Sequence, residues 1–369
     1  MKIVFICGSL MPGSDGVGDY TIKLAVQLKR LGHDACALAL NDRFIKKNIA
    51  EVQHFDGITL SVLRLASSLP LKTRFNEAKK WLKKISPEWI SIQYVPYSFD
   101  TNGMPLYLAN FLDKLKTDNK WHTMIHEPFL DKQKSFKNII IRYLQKRSIK
   151  LIYKKLKPAT VHTSIPLYQK MLMEIPIESK LLGLFGNLRV PDSVSIAGKE
   201  VSITEKRKFI CVYFGTAPKV QYHDIFTNKI KAFCREHQLH LIICGNSGKN
   251  GKTFANSIEA ACKEEFFEMT FLGELKPWEL SELFLKADFG IARVSTDLLG
   301  KSGSAISMLE HGLPLWVPLV KESQPSHNQF DFRSHLCFYE LADVLKIKEK
   351  YKSIDRLPEI ANKFLADLD

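Results

Sequence analysis

The sequence predicts an α/β protein built on parallel sheets and divided into two domains. Three observations carry this. From Leu239 to Val317, short apolar runs alternate with Gly turns and helix-period stretches: LHLIICG ends at Gly245, MTFLGEL turns at Gly273, and ADFGIARV leads into DLLGKSGSAISMLEHGLPLWV. Strand-length runs whose turns each open a helical pattern make a parallel sheet with its turns along one edge. Next, KIVFICG from Lys2 and FICVYFG from Phe209 begin two halves alike, each a strand ending in glycine. Finally, 369 residues are ample for two cores. The expected architecture is two Rossmann-like domains with a ligand cleft between them, since helix N-termini and unpaired N–H groups face outward at such edges.

The elements follow in order. The strand from Lys2 enters the loop MPGSDGVGDY, and a helix is expected from about Thr21 to Leu31, with Ile22, Leu24, Ala25, Leu28 and Leu31 on one face. Gly32 caps it and DACALAL is the next strand. Trp89 to Tyr94 and HTMIHE are later strands, with a helix over 104–116 between them. Short strands are expected at 159–163 and 180–184. Residues 190–207 lack periodic runs and carry Pro, Ser and Gly, which places the linker there. The domains are then 1–190 and 191–349, followed by a helical tail over 345–368.

Composition sets limits. No apolar run approaches the roughly 20 residues that span a bilayer. Met1 to Leu10 reads as a strand entering a Gly turn rather than a signal peptide, so the chain is expected in the cytoplasm. Cys7, Cys36, Cys211 and Cys244 fall in strand-like runs, Cys234, Cys262 and Cys337 are scattered, and no CxxC pair exists. Reduced core thiols are expected, with neither a zinc site nor a disulfide framework. The net charge of +14 is uneven: residues 1–190 hold 30 Lys/Arg and 15 Asp/Glu, net +15, and the remainder 23 and 24, net −1. An anionic partner for the first half follows.

The motifs of the second half appear in an ordered set: Phe271-Leu272-Gly273-Glu274-Leu275, Ala287-Asp288, Phe289 to Ala292, Lys301 to Ser304, and Gly312-Leu313-Pro314. The set resembles the donor domain of a GT-B glycosyltransferase of the family-4 type. The resemblance implies a GT-B fold whose C-terminal helix, about 350–369, packs back on the first domain. It implies a nucleotide-sugar donor, UDP- or GDP-linked, on the second domain and an acceptor on the first.

Site residues carry over position by position. Gly16, Val17, Gly18 and Asp19 correspond to a loop that faces the donor phosphates near the acceptor. A ligand can approach such glycines without meeting a Cβ; the other reading is a flexible turn capped through Asp19. The pattern G-x-G-x-x-T lacks the third dinucleotide glycine and no convincing acidic ribose partner follows, which counts against an NAD-dependent oxidoreductase. His126, ending its strand, corresponds to a histidine lining the cleft beside the transferred sugar, where it would donate a hydrogen bond or steady developing charge. Glu127 would orient it or hold acceptor hydroxyls; strand-end groups paired with solvent are the alternative.

Gly215, Thr216 and Lys219 match a Gly-Arg…Lys loop, with Thr216 in the arginine's place and Lys219 left to reach the phosphates. Gly245 and Asn246 are cleft residues by position. The stretch GNSGKNGKT lacks a P-loop because Asn246 stands where glycine is required, so Lys249 to Thr253 reads as a mobile basic loop. Gly273, Glu274 and Leu275 would present backbone groups to the base, which leaves uracil and guanine undistinguished.

The donor loop departs from the family. Its two glutamates eight apart fall at Leu299 and Ser307, counting back from Gly312. A basic-x-Gly-Ser turn stands there instead. Lys301, Ser302, Gly303 and Ser304 would take the diphosphate at a helix start, with Arg293 as a further cation and Glu310 as a ribose ligand.

Basic amphipathic stretches lie at Lys72 to Lys84 and Lys132 to Lys157; the second holds ten Lys/Arg and no acid, interleaved with aromatic and aliphatic residues. They fit an anionic membrane surface, or an ordinary solvated face. The expected function is transfer of a hexose-type sugar to a hydroxyl of a lipid-linked surface glycan, retaining by family, at the inner face of the cell membrane. No clear DxD motif stands among the cleft candidates, so no metal is expected, nor any nucleic-acid partner. Alternatives are a nucleotide-sugar 2-epimerase, a non-catalytic scaffold, and a basic module for membrane or RNA.

Overall fold

The computed structural model describes residues 1–55, 57–131, 135–190, 208–248, 250–263, 265–319, 337–347 and 351–369; the expected linker lies outside them apart from Val190. The chain divides into two compact units, one of Met1–Gly183 with Leu357–Asp369, the other of Leu184–Arg356.

The first unit holds β1 (Lys2–Cys7), β2 (Asp34–Asp42), β3 (Ile49–Phe55), β4 (Ile58–Ala66), β5 (Trp89–Tyr94), β6 (Lys120–Ile125), β7 (Thr160–Thr163) and β8 (Lys180–Leu181). Their spatial order is β3-β4-β2-β1-β5-β6-β7-β8. Every pair is parallel except β3–β4. Helices α1 (Gly16–Arg30), α2 (Leu71–Ile85), α3 (Pro96–Phe99), α4 (Leu108–Asp113), α5 (Phe136–Leu156) and α6 (Pro166–Met173) connect them. Strand β5 is buried throughout, as in a sheet covered on both faces.

Several boundaries differ from expectation. Helix α1 starts at Gly16 rather than Thr21, because the Asp15 carboxylate accepts from Val17 N (3.0 Å) and Gly18 N (3.1 Å). Helix α4 covers only part of 104–116, because Asp100 draws the N–H groups of Asn102 and Met104 into a turn that holds Gly103 at φ +71°. The strand expected over 180–184 is two residues long. The antiparallel β3–β4 pair was absent from the expected elements.

The second unit holds β9 (Lys208–Phe214), β10 (Gln238–Cys244), β11 (Phe267–Gly273), β12 (Phe289–Ile291), β13 (Leu315–Trp316) and β14 (Cys337–Phe338), in the order β11-β10-β9-β12-β13-β14 and all parallel. Its helices are α7 (His223–Cys234), α8 (Gly251–Ala261), α9 (Pro277–Lys286) and α10 (Gly303–Glu310). One face packs Phe226, Phe254 and Trp316, the other Leu280, Phe284, Met308 and Leu313. Lys252 and Thr253, expected in a loop, lie in α8; Lys249 is outside the described residues.

The tail is not one helix. A 3-10 turn covers Leu341–Lys346 and α11 spans Leu357–Ala366, with Pro358 in its first turn. Helix α11 belongs to the first unit, where the Phe364 ring lies 5.7 Å from Phe5 and 5.0 Å from His122, centroid to centroid. All seven cysteines are free. No described helix is long and apolar enough to cross a membrane.

Phe364 is fully buried, so Phe364→Ala is expected to destabilise the first unit by about 3–5 kcal/mol in denaturant unfolding. A loss under ~1 kcal/mol would mean that α11 is not part of that core.

Candidate functional site

In each sheet the strand order reverses beside the first strand of the unit: between β1 and β5 in the first, between β9 and β12 in the second. The loops leaving such a pair separate and expose backbone N–H groups.

In the second unit, backbone bonds lace the strand ends together. Gly215 N donates to Cys244 O (3.0 Å), Ala217 N to Ser247 O (3.0 Å) and Gly245 N to Gly273 O (2.6 Å). Gly245 is held at φ +85°, and a Cβ there would lie 2.9 Å from the Phe214 ring. Only glycine fits that turn. The Asn246 side-chain Oδ1 accepts from Gly248 N (3.1 Å), closing its own turn.

Helix α10 begins at the same edge. Ser302 caps it, accepting from Ala305 N (3.4 Å), and its hydroxyl lies 3.2 Å from that of Ser304. Ser304 Cβ is 3.9 Å from where a Cβ on Gly215 would sit. The loop after β9 and the N-terminus of α10 therefore meet at the reversal of strand order. The first N–H groups of α10 lack helical partners and carry the positive end of its dipole. Lys301, half-buried, closes the 3-10 turn Thr296–Lys301 just before them.

Thr216, Lys219, Glu274 and Arg293 are exposed. Arg293 follows β12 closely enough for its charge to act on the Tyr213 phenol, which burial pushes up. Leu275 packs partly against the core under α9.

Ser307 and Glu310 are turned to other work. Asn187 N donates to Ser307 Oγ (3.1 Å) and Gly186 N to Glu310 Oε2 (2.9 Å). Glu310 sits seven residues along α10, about 10 Å from its start. Glu310 holds Gly186 while Ser307 holds Asn187, and this buried place corrects the ribose role raised for Glu310.

In the first unit, Gly16, Val17, Gly18 and Asp19 form the first turn of α1. The cap is Asp15 rather than Asp19; Asp19 accepts from Gly13 N (3.0 Å) and closes the preceding loop. Gly18 is small for an internal reason, since a Cβ would meet Ser9 O at 2.6 Å, whereas a Cβ on Gly16 would meet nothing within 4 Å.

His126 follows β6 and stays in the ladder through its N–H to Tyr94 O (3.0 Å). Its ring stands edge-on to Tyr20 of α1, 4.9 Å between centroids, so α1 and the end of β6 share one edge. The side chain holding His126 is Gln93, whose Oε1 lies 2.9 Å from Nε2. Burial pushes the imidazole down to about 3, so the ring is neutral. Gln93 was not among the sequence candidates; its signal is WISIQY, where Ser91 and Gln93 interrupt an apolar strand at alternate positions. Glu127 is half-buried beside His126 in sequence.

No family model matches the chain, and no curated protein matches it. Solved structures do. Sucrose-phosphate synthase from Thermosynechococcus elongatus is 16% identical with a TM-score of 0.62, over 100% of this chain and 90% of that one. HepE from Anabaena, in complex with UDP and glucose, is 12% identical with a TM-score of 0.56, over 100% and 96%. UDP-GlcNAc 2-epimerase from Methanocaldococcus jannaschii is 10% identical with a TM-score of 0.55, over 100% and 99%. These likenesses show the fold, which is GT-B.

The pH dependence of the second unit follows from Glu310. Burial is the main cause that pushes its carboxyl up to about 7, against an unfolded value of about 4.3. Between those values the folded state holds a proton that the unfolded state has released, so stability falls as pH rises. About 3–4 kcal/mol, present below pH ~4, should be lost by pH ~7.5. Glu310→Gln is expected to remove that slope in unfolding at pH 5 and 7.5; an unchanged slope assigns it to other groups.

Proposed function

We propose that this chain is a glycosyltransferase that takes a sugar from a UDP- or GDP-linked donor. The observation that carries the reading is the meeting of the β9 loop and the α10 N-terminus, with Ser304 beside Gly215. That corner offers unpaired N–H groups, a helix dipole and the Lys301 cation to one diphosphate. The likeness to a protein solved with UDP and glucose supports the same assignment.

The chemistry follows from the groups at that edge. As the sugar–diphosphate bond lengthens, negative charge grows on the leaving diphosphate. Donors already aimed at it stabilise the transition state more than the ground state. In this reading Gly303 N–H, Ser304 and Lys301 meet the charge, with Lys219 and Arg293 adding attraction at longer range, and no metal takes part. Transfer retains the anomeric configuration. The first unit presents the acceptor hydroxyl, a glycan carried on a lipid, near His126, Glu127 and the first turn of α1.

Docking at an anionic membrane is the second part of the proposal. Along one stripe of α5, Phe136, Ile140 and Tyr143 are followed by Arg147, Lys150 and Lys154, all exposed; Phe136 is 78% exposed. A helix that offers aromatic rings at one end and basic groups at the other matches the headgroup boundary. Each basic group near such a surface contributes about 1 kcal/mol. Helix α2 adds Lys72, Lys79, Lys80, Lys83 and Lys84, all exposed. Arg74, counted with them in the sequence, is buried and donates to Leu40 O (2.8 Å) and Asn41 Oδ1 (2.9 Å). Lys132 and Lys134 lie outside the described residues.

Thermal unfolding with UDP, GDP, ADP, CMP and NAD tests the donor site. One nucleoside diphosphate is expected to raise the melting temperature, by about 2.7 kcal/mol of stabilisation at 100 Kd. Lys301→Ala is expected to weaken its binding about tenfold or more. No shift with any nucleotide would sink the proposal, and release of an epimerised nucleotide sugar would replace transfer with epimerisation. For docking, Phe136→Ser with Tyr143→Ser is expected to cut co-sedimentation with anionic phospholipid vesicles at least tenfold. Equal binding of both forms removes α5 from the interface.

A further inference from the structure

A row of polar side chains crosses the buried interior of the first unit. Ser91 and Gln93 stand two apart on β5, His122 and His126 four apart along β6 and its end, and His162 on β7. Register pairs Ser91 with His122 and His122 with Thr160, so the two-residue period sets all five on one face. They join end to end. His126 Nε2 meets Gln93 Oε1 at 2.9 Å, Gln93 Nε2 meets Ser91 Oγ at 2.7 Å, and Ser91 Oγ meets His122 Nδ1 at 2.7 Å. His122 Nε2 meets His162 Nδ1 at 2.9 Å, and His162 Nε2 meets Asp367 Oδ2, just beyond α11, at 3.0 Å.

Ser91, Gln93, His122 and His162 have no exposed surface. An apolar row would hold such a sheet as well or better. A buried polar row persists only when every member is satisfied, and here each bond leaves the next one direction to run.

Asp367 sets that direction. Lys180 (2.8 Å) and Lys363 (3.1 Å) both donate to its carboxylate. Partial burial works to raise its proton affinity, but the hydrogen bonds from Lys180, Lys363 and His162 prevail and hold the carboxyl far below the usual range. An ionised carboxylate only accepts, so His162 must give it Nε2–H and keep Nδ1 bare. His122 then donates from Nε2 and accepts at Nδ1 from the Ser91 hydroxyl. The Ser91 oxygen takes an amide N–H of Gln93, which turns Gln93 Oε1 toward His126 to receive its Nε2–H. The reverse arrangement would set a ring lone pair against a carboxylate oxygen. Burial keeps all three rings neutral, pushing His162 down to about 4 and His122 well below the ordinary value.

We propose that Gln93 is a positioning residue that locks His126 as the Nε2–H tautomer, and that Asp367, at the far end of the row, decides which tautomer is locked. His126 then offers a bare Nδ1, an acceptor, to its ligand. The ligand group it recognises is a hydroxyl that donates, the opposite of the donor role that the family resemblance implies. This last consequence rests on reading the first unit's edge as the acceptor site.

Long-range nitrogen–proton NMR of the full chain, labelled at histidine and recorded at neutral pH, tests the lock. His122, His126 and His162 should each show a protonated Nε2 and a bare Nδ1. Gln93→Leu should cost His126 its single-tautomer signature while His162 keeps its own. Asp367→Leu, which removes the obligate acceptor, should give mixed tautomers at His162 and His126 together. A protonated Nδ1 on His126 in the unaltered chain, or a His126 signal indifferent to Gln93→Leu, overturns the lock. A His126 signal indifferent to Asp367→Leu overturns its setting from α11. The unaltered chain carries the main reading, so a variant that fails to fold does not remove the test. Three Nε2–H tautomers in a chain that transfers no sugar would uphold the lock and count against the transferase reading.

Discussion

A parallel strand can be followed by a neighbour only if the chain first travels back across the face of the sheet. That constraint governs both units. It covers the faces with helices, which buries strands such as β5 from end to end. It also sends every βα turn to one edge, so residues far apart in sequence assemble without any of them being near another along the chain. Gly215, Gly245, Gly273 and Ser304 come from four separate segments and still meet as neighbours. Tyr20 and His126 do the same in the first unit.

Much of this was legible in the sequence, because a buried parallel strand has to be an apolar run and its turn has to be small. Strands β1, β9 and β10 and the Gly turns after them announce themselves in that way. What stayed hidden depended on groups whose partners lie elsewhere. Asp15 looked like one polar residue in a loop, and only its bonds to Val17 and Gly18 show that α1 begins five residues earlier. Arg74 looked like one more cation in a basic stretch, yet its guanidinium is turned inward to Leu40 and Asn41. Gln93 looked like an irregularity in a strand. Its importance appears only when β6 is laid beside β5.

The departures from the pattern that the sequence resembles have a physical side as well. Ser307 stands at the position where that resemblance implies a glutamate, and it instead receives the N–H of Asn187. One turn later Glu310 receives Gly186 N–H. Both residues of α10 are thus committed to holding the start of the second unit. The proposed diphosphate corner uses only the first turn of this helix and Lys301 just before it, neither of which requires a carboxylate.

The place of α11 has a consequence for how the protein is made. The helix completes the first unit, yet the whole of Leu184–Arg356 precedes it in the chain. At about 5–20 residues per second, a ribosome needs roughly 10–30 s to lay down that insert. Through that interval the surface that Phe364 will cover, over Phe5 and His122, is open to water, and His162 waits for Asp367. The second unit, whose strands are contiguous in sequence, can close first. A cell making this protein carries a half-sealed first unit on every nascent chain, and that species is the one that chaperones would meet.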